Sequence, residues 1–239
     1  MKVGFFDSGF GGLCILRAFR HLCPKIETDY LADSAHCPYG NRPAEEIIEL
    51  SRRNVETLLS RGAQMIVVAC NTATAAAIDT LRREYPEIPF VGLEPAIKPA
   101  ALHSHSGIVG VLATAGTFNG RLYNETKARF ARQVTVLAVV ADEFVTAVET
   151  LYRGWSLEEI LAFLDSPDSR LDALEPMVRL RIEPLLNAGA DKIVLGCTHF
   201  PHLRPLIERI TAGRAEVVDS SEAVAQQARR ILIERGLAE

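Results

Sequence analysis

Residues 66–74 of the chain read IVVACNTAT, an apolar and mostly β-branched run that ends abruptly at Cys70. The apolar run predicts a buried parallel strand. The polar pair Asn71-Thr72 that follows it predicts the start of a helix. Cys70 is therefore expected at the carboxyl end of a strand, beside the free N–H groups of a helix. In open α/β sheets, ligands bind at this position.

The same pattern returns at a constant offset of 127 residues. Gly62-Ala63 precedes the strand that ends at Cys70, and Gly189-Ala190 precedes a second apolar strand that ends at Cys197. A second, weaker repeat matches the start of the chain with a segment in its middle. In this weaker repeat Val3-Gly4 corresponds to Val109-Gly110, and Ser8 corresponds to Thr114. The repeat predicts two related α/β halves, each of which supplies one cysteine from a strand end.

Composition limits the class of protein. The chain has 239 residues, of which 48% are hydrophobic and 23% charged, with a net charge of −4. These values fit a soluble protein of one large or two modest α/β domains, and the charge gives no support to nucleic-acid binding. We find no signal-peptide pattern, no apolar run of the roughly 20 residues that a membrane helix needs, and no zinc-site spacing. Five cysteines without that spacing indicate reduced thiols and a cytoplasmic protein.

Strand and helix patterns alternate along the whole chain, which predicts mostly parallel sheets. Strands are expected at residues 2–6, 27–32, 65–69, 90–93, 107–112, 134–140 and 216–218, in addition to the second cysteine strand. Helices are expected at 13–21, 44–60, 72–85, 119–130, 144–151, 157–164, 175–187, 205–210 and 221–235. The segment after residue 93 is expected to cross from one half to the other.

A glycine-rich turn follows the first strand, with the sequence DSGFGG at residues 7–12. It lacks the Lys-Ser/Thr of a P-loop and the spacing of a dinucleotide-binding turn. We expect it to let the backbone approach a small ligand closely. Asp7 at its start fits a helix cap and a catalytic carboxylate equally well.

Two thiols at equivalent strand ends favour proton transfer on the two faces of one carbon. Related halves would bring Cys70 and Cys197 to face each other across a cleft, where helix N-termini favour the thiolate. Nucleophilic catalysis is the competing chemistry and needs a histidine base. His199 is the one candidate, but adjacent residues at a helix start point in different directions, which argues against a direct couple with Cys197. A redox pair would lack the usual Cys-x-x-Cys spacing.

The remaining polar residues at the predicted strand ends suit an amino acid as the substrate. Hydroxyl, amide and backbone N–H groups that can hold carboxylates are available from Asn71, Thr72, Thr114, Thr117 and Thr198. Asp7 and Glu149 offer negative charge for an ammonium group or a proton relay. We see no lysine placed for a Schiff base, so the site would stabilise a carbanion by electrostatics, without a cofactor.

Seven motifs, taken together and in order, resemble glutamate racemase of the aspartate/glutamate racemase superfamily. They are DSGFGG from Asp7, PYG from Pro38, ACNTA from Ala69, EPA from Glu94, LAT from Leu112, GCTH from Gly196 with Pro201, and VDS from Val218. The resemblance implies cofactor-independent, two-base racemisation of L- and D-glutamate, which supplies D-glutamate for peptidoglycan. It also implies two α/β domains with the active site in the cleft between them, one formed by residues 1–95 and 207–239 and the other by residues 96–206.

The same resemblance implies roles for individual residues. Cys70 would act on the D-enantiomer and Cys197 on the L-enantiomer, assisted by Asp7 and His199 respectively, with Glu149 as a further helper. Substrate would be held by Ser8, Pro38, Tyr39, Gly40, Asn71, Thr72 and Thr198, and Thr114 and Thr117 would line the pocket from the second half. No metal is implied.

The sequence departs from the family pattern in three ways. Ala141-Asp142 stands where relatives usually have Cys-Pro before the helper glutamate, Phe200 and His202 stand where Tyr and Leu are usual, and the chain is short. The first departure leaves room for aspartate or another amino acid as the substrate. A decarboxylase would need only one of the two cysteines, and a non-catalytic binding protein that retains the fold is the rival of a different class. The resemblance also allows a homodimer and an interaction with DNA gyrase.

Overall fold

A computed structural model describes residues 1–130 and 134–237 of the chain. Eight strands are present in the described residues: β1 (Lys2–Asp7), β2 (Glu27–Ala32), β3 (Met65–Val68), β4 (Phe90–Val91), β5 (Ile108–Ala113), β6 (Thr135–Val140), β7 (Lys192–Leu195) and β8 (Glu216–Val218). The helices are α1 (Leu13–Leu22), α2 (Ala44–Ser60), α3 (Asn71–Glu84), α4 (Ile97–His103), α5 (Ala115–Asn119), α6 (Arg121–Phe130), α7 (Asp142–Leu151), α8 (Leu157–Asp165), α9 (Glu175–Asn187), α10 (Arg204–Thr211) and α11 (Ser221–Glu234). Short 3₁₀ helices lie at Ser34–His36, Tyr39–Asn41, Ser169–Leu174 and Phe200–Leu203.

The chain divides into two compact units, and each unit contains one four-stranded parallel sheet. The first unit comprises Met1–Leu93 and Ser221–Glu239 and has the strand order β2-β1-β3-β4. The second unit comprises Glu94–Ser220 and has the order β6-β5-β7-β8. In both sheets the first strand of the unit lies between the second and the third, and the fourth strand lies beside the third. The predicted α/β class with two related halves is therefore confirmed.

The repeated Gly-Ala pair ends a helix in the same way in both units. Gly62 and Gly189 adopt the left-handed backbone, with φ of 89° and 87°. In each unit the N–H groups of the Gly-Ala pair donate to carbonyls of the last helical turn at 2.9–3.0 Å, which closes the end of α2 in one unit and of α9 in the other. A side chain is strained at such a φ, which explains why glycine stands at both positions.

The weaker repeat also corresponds to a packing arrangement that is the same in both units. Gly4 on β1 and Gly110 on β5 face the helix that precedes the neighbouring strand. A Cβ atom on Gly4 would lie 3.1 Å from the Cβ of Leu58, and one on Gly110 would lie 2.8 Å from the Cδ1 of Leu185. Leu58 and Leu185 are themselves 127 positions apart. Helix and sheet therefore pack closely in both units because each strand lacks a side chain at that point.

Two features of the chain differ from the sequence-based expectation. Helix α4 lies at residues 97–103, where no helix was predicted, and its buried face contains Ile97 and Ala100. The return to the first unit was placed at residue 207, but residues 207–220 belong to the second unit. The reason is that β8 pairs with β7, with Val217 opposite Ile193, so that only α11 returns to pack on α1.

No helix among the described residues is both long and apolar enough to cross a membrane.

Candidate active site

Cys70 occupies the strand end that the sequence predicts. It is buried, it follows β3 directly, and as the N-cap of α3 it keeps an extended backbone with φ −136° and ψ 123°. Its Sγ accepts the backbone N–H of Ala73 at 3.4 Å and lies 3.9 Å from the Oγ of Ser8. A first-turn N–H and the positive end of the helix dipole both stabilise negative charge on the sulfur. The thiol of Cys70 is therefore placed to give up and take back a proton.

The side-chain amide of Asn71, the residue after Cys70, is incompletely paired. Asn71 is the first residue of α3 and is buried, with 7% of its surface exposed. No polar group of the described residues lies within hydrogen-bonding distance of its Oδ1 atom. A buried polar atom without a partner costs roughly 1–3 kcal/mol. A polar ligand would remove this cost, so the amide favours a binding role. Thr72, the next residue, is partly exposed on the same helical turn.

The glycine-rich turn after β1 packs against protein rather than leaving space for a ligand at Gly12. A Cβ atom there would lie 2.7 Å from the Cβ of Ala69 and 2.9 Å from the hydroxyl of Tyr30. Within the turn, the Oδ2 of the buried Asp7 accepts the N–H of Gly9 at 3.1 Å and that of Gly12 at 3.3 Å. Packing within the protein therefore explains the glycine at position 12, and the close approach of a ligand to the turn stays a prediction. Asp7 holds the shape of the turn that carries Ser8.

Tyr39 is fixed by a network that the sequence does not reveal. Its hydroxyl donates to the Oδ2 of Asp33 at 2.5 Å and accepts from the Nδ2 of Asn54 at 3.1 Å, while the Oδ1 of Asp33 lies 2.7 Å from the Nδ1 of His36. Burial, the hydrogen bond to Asp33 and the charges of Asp33 and Cys70 raise the pKa of the Tyr39 phenol above its ordinary value. The phenol is therefore protonated at neutral pH and remains a hydrogen-bond donor.

The three residues Pro38, Tyr39 and Gly40 differ in solvent exposure. Tyr39 is buried, Gly40 is partly exposed, and Pro38 is exposed and follows a cis peptide bond from Cys37. Asp33 was not among the predicted site residues, because its role depends on a side chain six positions away. A carboxylate at a parallel strand end was the one signal that could have identified it.

Cys197 has a different environment from Cys70. It lies after β7 and is buried, but the chain continues into the 3₁₀ helix Phe200–Leu203 rather than directly into an α-helix. Its Sγ lies 3.8 Å from the Nδ1 of His199, and the Nε2 of His199 lies 2.7 Å from the Oε1 of Glu149. His199 is 2% exposed and Glu149 is 19% exposed at the side chain. The three side chains follow one another from thiol to imidazole to carboxylate, and we call Cys197, His199 and Glu149 the Cys197 array.

This array corrects one argument from the sequence. A direct couple of Cys197 with His199 was considered doubtful because neighbouring residues at a helix start diverge. The 3₁₀ helix begins only after His199, which serves as its N-cap, so Cys197 and His199 lie in the preceding turn, where their side chains meet. An imidazole bonded to a carboxylate can hold a proton next to the sulfur and pass it on.

The remaining predicted residues of the second unit lie at the end of β5 and after β7. Thr114 caps α5: its Oγ1 accepts the N–H of Thr117 at 3.3 Å and lies 2.9 Å from that residue's Oγ1. Both threonines are buried, and so is Thr198. Asp142, in the dipeptide that departs from the family pattern, accepts the N–H of Ala115 at 3.2 Å. The starts of α5 and α7 are thereby tied together.

Known proteins resemble this chain over nearly its whole length. Residues 15–228 match the family model described as Asp/Glu/Hydantoin racemase. A glutamate racemase from Roseiflexus sp. (strain RS-1) is 43% identical over 237 residues, which cover 98% of this chain and 80% of that protein. One from Herpetosiphon aurantiacus is 44% identical over 230 residues, covering 96% and 84% respectively. The crystal structure of the Escherichia coli glutamate racemase with L-glutamate and the activator UDP-MurNAc-ala has a TM-score of 0.80 and 35% identity, covering 97% of this chain and 82% of that one.

Proposed function

The chain belongs to the Asp/Glu/Hydantoin racemase family, and from this membership we propose that it interconverts L- and D-glutamate by transferring protons at Cα without a cofactor. The substrate follows from the curated relatives, which are glutamate racemases at 40–44% identity over nearly the whole chain. The product D-glutamate would serve peptidoglycan synthesis in the cytoplasm.

One observation supports the reaction more than any other. In each unit, an inner strand of the sheet leads to a buried thiol that already has a partner able to stabilise charge or hold a proton. For Cys70 the partner is the N–H of Ala73, and for Cys197 it is His199, backed by Glu149. Racemisation needs two such groups, because one must take the proton from Cα while the other supplies a proton to the opposite face.

The proposed steps balance in both directions. With D-glutamate, the thiolate of Cys70 takes the Cα proton, and the thiol of Cys197 gives its proton to the other face of the carbanion, which yields L-glutamate. With L-glutamate, Cys197 takes the proton and Cys70 gives one. His199 accepts or returns the proton of Cys197, and Asp7 assists Cys70 while holding the turn that carries Ser8.

The carbanion at Cα must be stabilised without a cofactor, and donors in both units can provide this. The amide of Asn71 and the hydroxyls of Thr72 and Thr198 would hold carboxylate oxygens as charge moves toward them. Ser8, Tyr39, Gly40, Thr114 and Thr117 would complete the binding set. The exposed Pro38 would shape its loop.

Deuterium exchange tests the proposal directly. The protein incubated in D₂O with L- or D-glutamate should incorporate solvent deuterium at Cα of both enantiomers, as followed by NMR. Cys70→Ser and Cys197→Ser should each abolish racemisation, whereas Cys23→Ser, which changes a buried cysteine at the end of α1, should not. A folded protein that exchanges neither enantiomer would refute the activity. Exchange with aspartate and not glutamate would change the substrate and keep the mechanism.

The resemblance also suggested a homodimer and an interaction with DNA gyrase, and both remain predictions. Light scattering of the purified protein tests the first, and co-purification with gyrase subunits tests the second.

A further inference from the structure

Two buried polar side chains next to the Cys197 array have no part in the proposed reaction. The Nδ1 of His202 lies 3.0 Å from the hydroxyl of Tyr152. His202 is 1% exposed and Tyr152 is fully buried. A buried pair of this kind costs desolvation, which an apolar pair of similar size would avoid. Its presence beside the active-site array calls for a physical reason.

The spacing of the pair provides that reason. Glu149 and Tyr152 lie three positions apart at the end of α7, and His199 and His202 lie three positions apart in and just before the 3₁₀ helix Phe200–Leu203. Side chains at i and i+3 share a face of an α-helix and nearly eclipse each other in a 3₁₀ helix. The end of α7 and the segment from His199 to His202 therefore make two side-chain contacts one turn apart. Glu149 bonds to His199 in the first, and Tyr152 bonds to His202 in the second.

Aromatic packing encloses the second of these contacts. The ring of Tyr152 packs on that of His202 with centroids 5.3 Å apart and on that of Phe163 at 6.0 Å. Phe144 of α7 also packs edge-on against Phe200, with ring centroids 5.2 Å apart. The hydrogen bond between Tyr152 and His202 therefore lies within an apolar layer, where geometry is tightly constrained.

The second contact between α7 and the 3₁₀ helix matters because His199 has to face two partners at once. Its imidazole must keep one nitrogen 2.7 Å from Glu149 and the other 3.8 Å from the sulfur of Cys197. The bond of His202 to Tyr152 fixes the 3₁₀ helix against α7 at a second point, one turn further along the chain. A segment fixed at both points keeps Nδ1 of His199 facing the sulfur.

We propose that His202 and Tyr152 are positioning residues for proton transfer at Cys197. They hold the 3₁₀ helix against α7, so that His199 stays between the thiol and Glu149. The inference rests on the proposed racemisation for its kinetic consequences. Its structural consequence, the reactivity of Cys197, does not depend on that reaction.

Four variants of the full-length protein test the pair. Tyr152→Phe removes the hydroxyl alone, and His202→Leu removes the ring nitrogens. His202→Asn keeps a polar atom at the same bond count from the backbone as Nδ1 and serves as the rescue variant. Tyr123→Phe is the matched control, because the hydroxyl of the buried Tyr123 in the same unit has no hydrogen-bond partner among the described residues. Thermal denaturation checks that each variant is folded.

The kinetic readout separates the two thiols. Tyr152→Phe and His202→Leu should lower kcat/KM about fivefold, the value of one ordinary hydrogen bond, and His202→Asn should recover most of the loss. The primary isotope effect with Cα-deuterated L-glutamate should rise while that with D-glutamate falls, because proton transfer at Cys197 becomes the slower step. A loss of activity in which both isotope effects stay as in the wild type would overturn the inference, since that pattern indicates a structural role alone.

Alkylation provides the readout that is independent of activity. Iodoacetamide should modify Cys197 several-fold more slowly in Tyr152→Phe and His202→Leu than in the wild type, with Cys70 unchanged, as measured by peptide mass spectrometry. Equal changes at both cysteines, or none at Cys197, would refute the positioning role. If the wild type exchanges neither enantiomer of glutamate, the proposed function fails, and alkylation alone decides this inference.

Discussion

Glu149→Gln removes the charge from the far end of the Cys197 array and keeps the size of the side chain. The carboxylate oxygen lies 2.7 Å from the Nε2 of a histidine that is only 2% exposed. A hydrogen bond to a charged group contributes about 1.5–3 kcal/mol, and Glu149 is 19% exposed at the side chain, which places it toward the lower part of that range. At about 2 kcal/mol, and with tenfold per 1.36 kcal/mol, kcat/KM should fall about 30-fold.

The assay is racemisation of each enantiomer, followed by circular dichroism, together with primary isotope effects at Cα. Because the equilibrium constant between enantiomers is one, kcat/KM must fall equally in both directions. The isotope effects should instead diverge, rising with L-glutamate and falling with D-glutamate, since the lost charge supports Cys197 and not Cys70.

Glu143→Gln is the matched control, because Glu143 lies in the first turn of the same helix and pairs with Arg181 at 2.5 Å. We expect this variant to retain activity within about twofold, the range of an exposed ion pair. Loss of less than threefold in Glu149→Gln, or the same loss in both variants, would refute the role of the Glu149 carboxylate in proton transfer.

Three further predictions concern other parts of the molecule. Asp33→Asn replaces the charged acceptor of the Tyr39 hydroxyl and should raise KM for glutamate about fivefold with little change in kcat; a fall in kcat at constant KM would contradict a binding role. Gly110→Ala places a Cβ 2.8 Å from Leu185 and should lower stability by about 1–3 kcal/mol, measured by urea denaturation. Burial raises the pKa of Asp191, but hydrogen bonds from the loop before β5 outweigh it and lower this pKa from 3.8 to about 2. Because a depressed pKa stabilises the fold only above the unfolded value, the stability difference between wild type and Asp191→Asn should be constant near pH 7 and shrink as the pH falls from about 4 to 2.

Much of the fold could be predicted because its signals are local and occur twice. The helix α2 was predicted with its observed bounds, since its apolar positions recur at helical spacing and a proline precedes it. The offset of 127 residues identified the two related units, because the same left-handed glycine ends a helix in each. Helix α4 was missed because it is short and because Pro99, which lies in its first turn, is typical of a helix breaker when only the sequence is known.

The candidate site could be predicted only in part, because partners that come from distant positions in the chain leave no local pattern. Both thiols were identified from strand ends, but the contact of His199 with Glu149 spans 50 positions. The network of Tyr39 was missed for the same reason, since Asn54 reaches its hydroxyl from the next helix. The residue types at the strand ends predicted proton transfer as the chemistry of the site. The fold determines which side chains come close enough to exchange a proton.

The repeat does not extend to the helices that follow the two cysteines. Helices were predicted from residue 72 after Cys70 and from residue 205 after Cys197, and only the argument against a couple of Cys197 with His199 assumed that a helix starts at the second cysteine. At Cys70 an α-helix does begin at once, and the sulfur accepts a backbone N–H. At Cys197 the α-helix is delayed to residue 204 by a turn and a 3₁₀ helix. Pro201 and Pro205 lie in this segment and cannot donate the backbone hydrogen bonds that a helix running from residue 198 would need.

Because the α-helix begins only at residue 204, a side chain rather than a backbone N–H group lies next to the thiol of Cys197. Backbone N–H groups have a fixed protonation state, so the N–H of Ala73 stabilises charge on Cys70 but cannot exchange a proton with it. An imidazole can take up and release a proton, so Cys197 is supported by a side chain that can itself exchange the proton. Two thiols that serve opposite enantiomers in one reaction are thus supported by groups of different kinds. We therefore expect His199→Gln to raise the isotope effect with L-glutamate and to lower the one with D-glutamate, and equal changes in the two isotope effects would show that His199 does not assist Cys197.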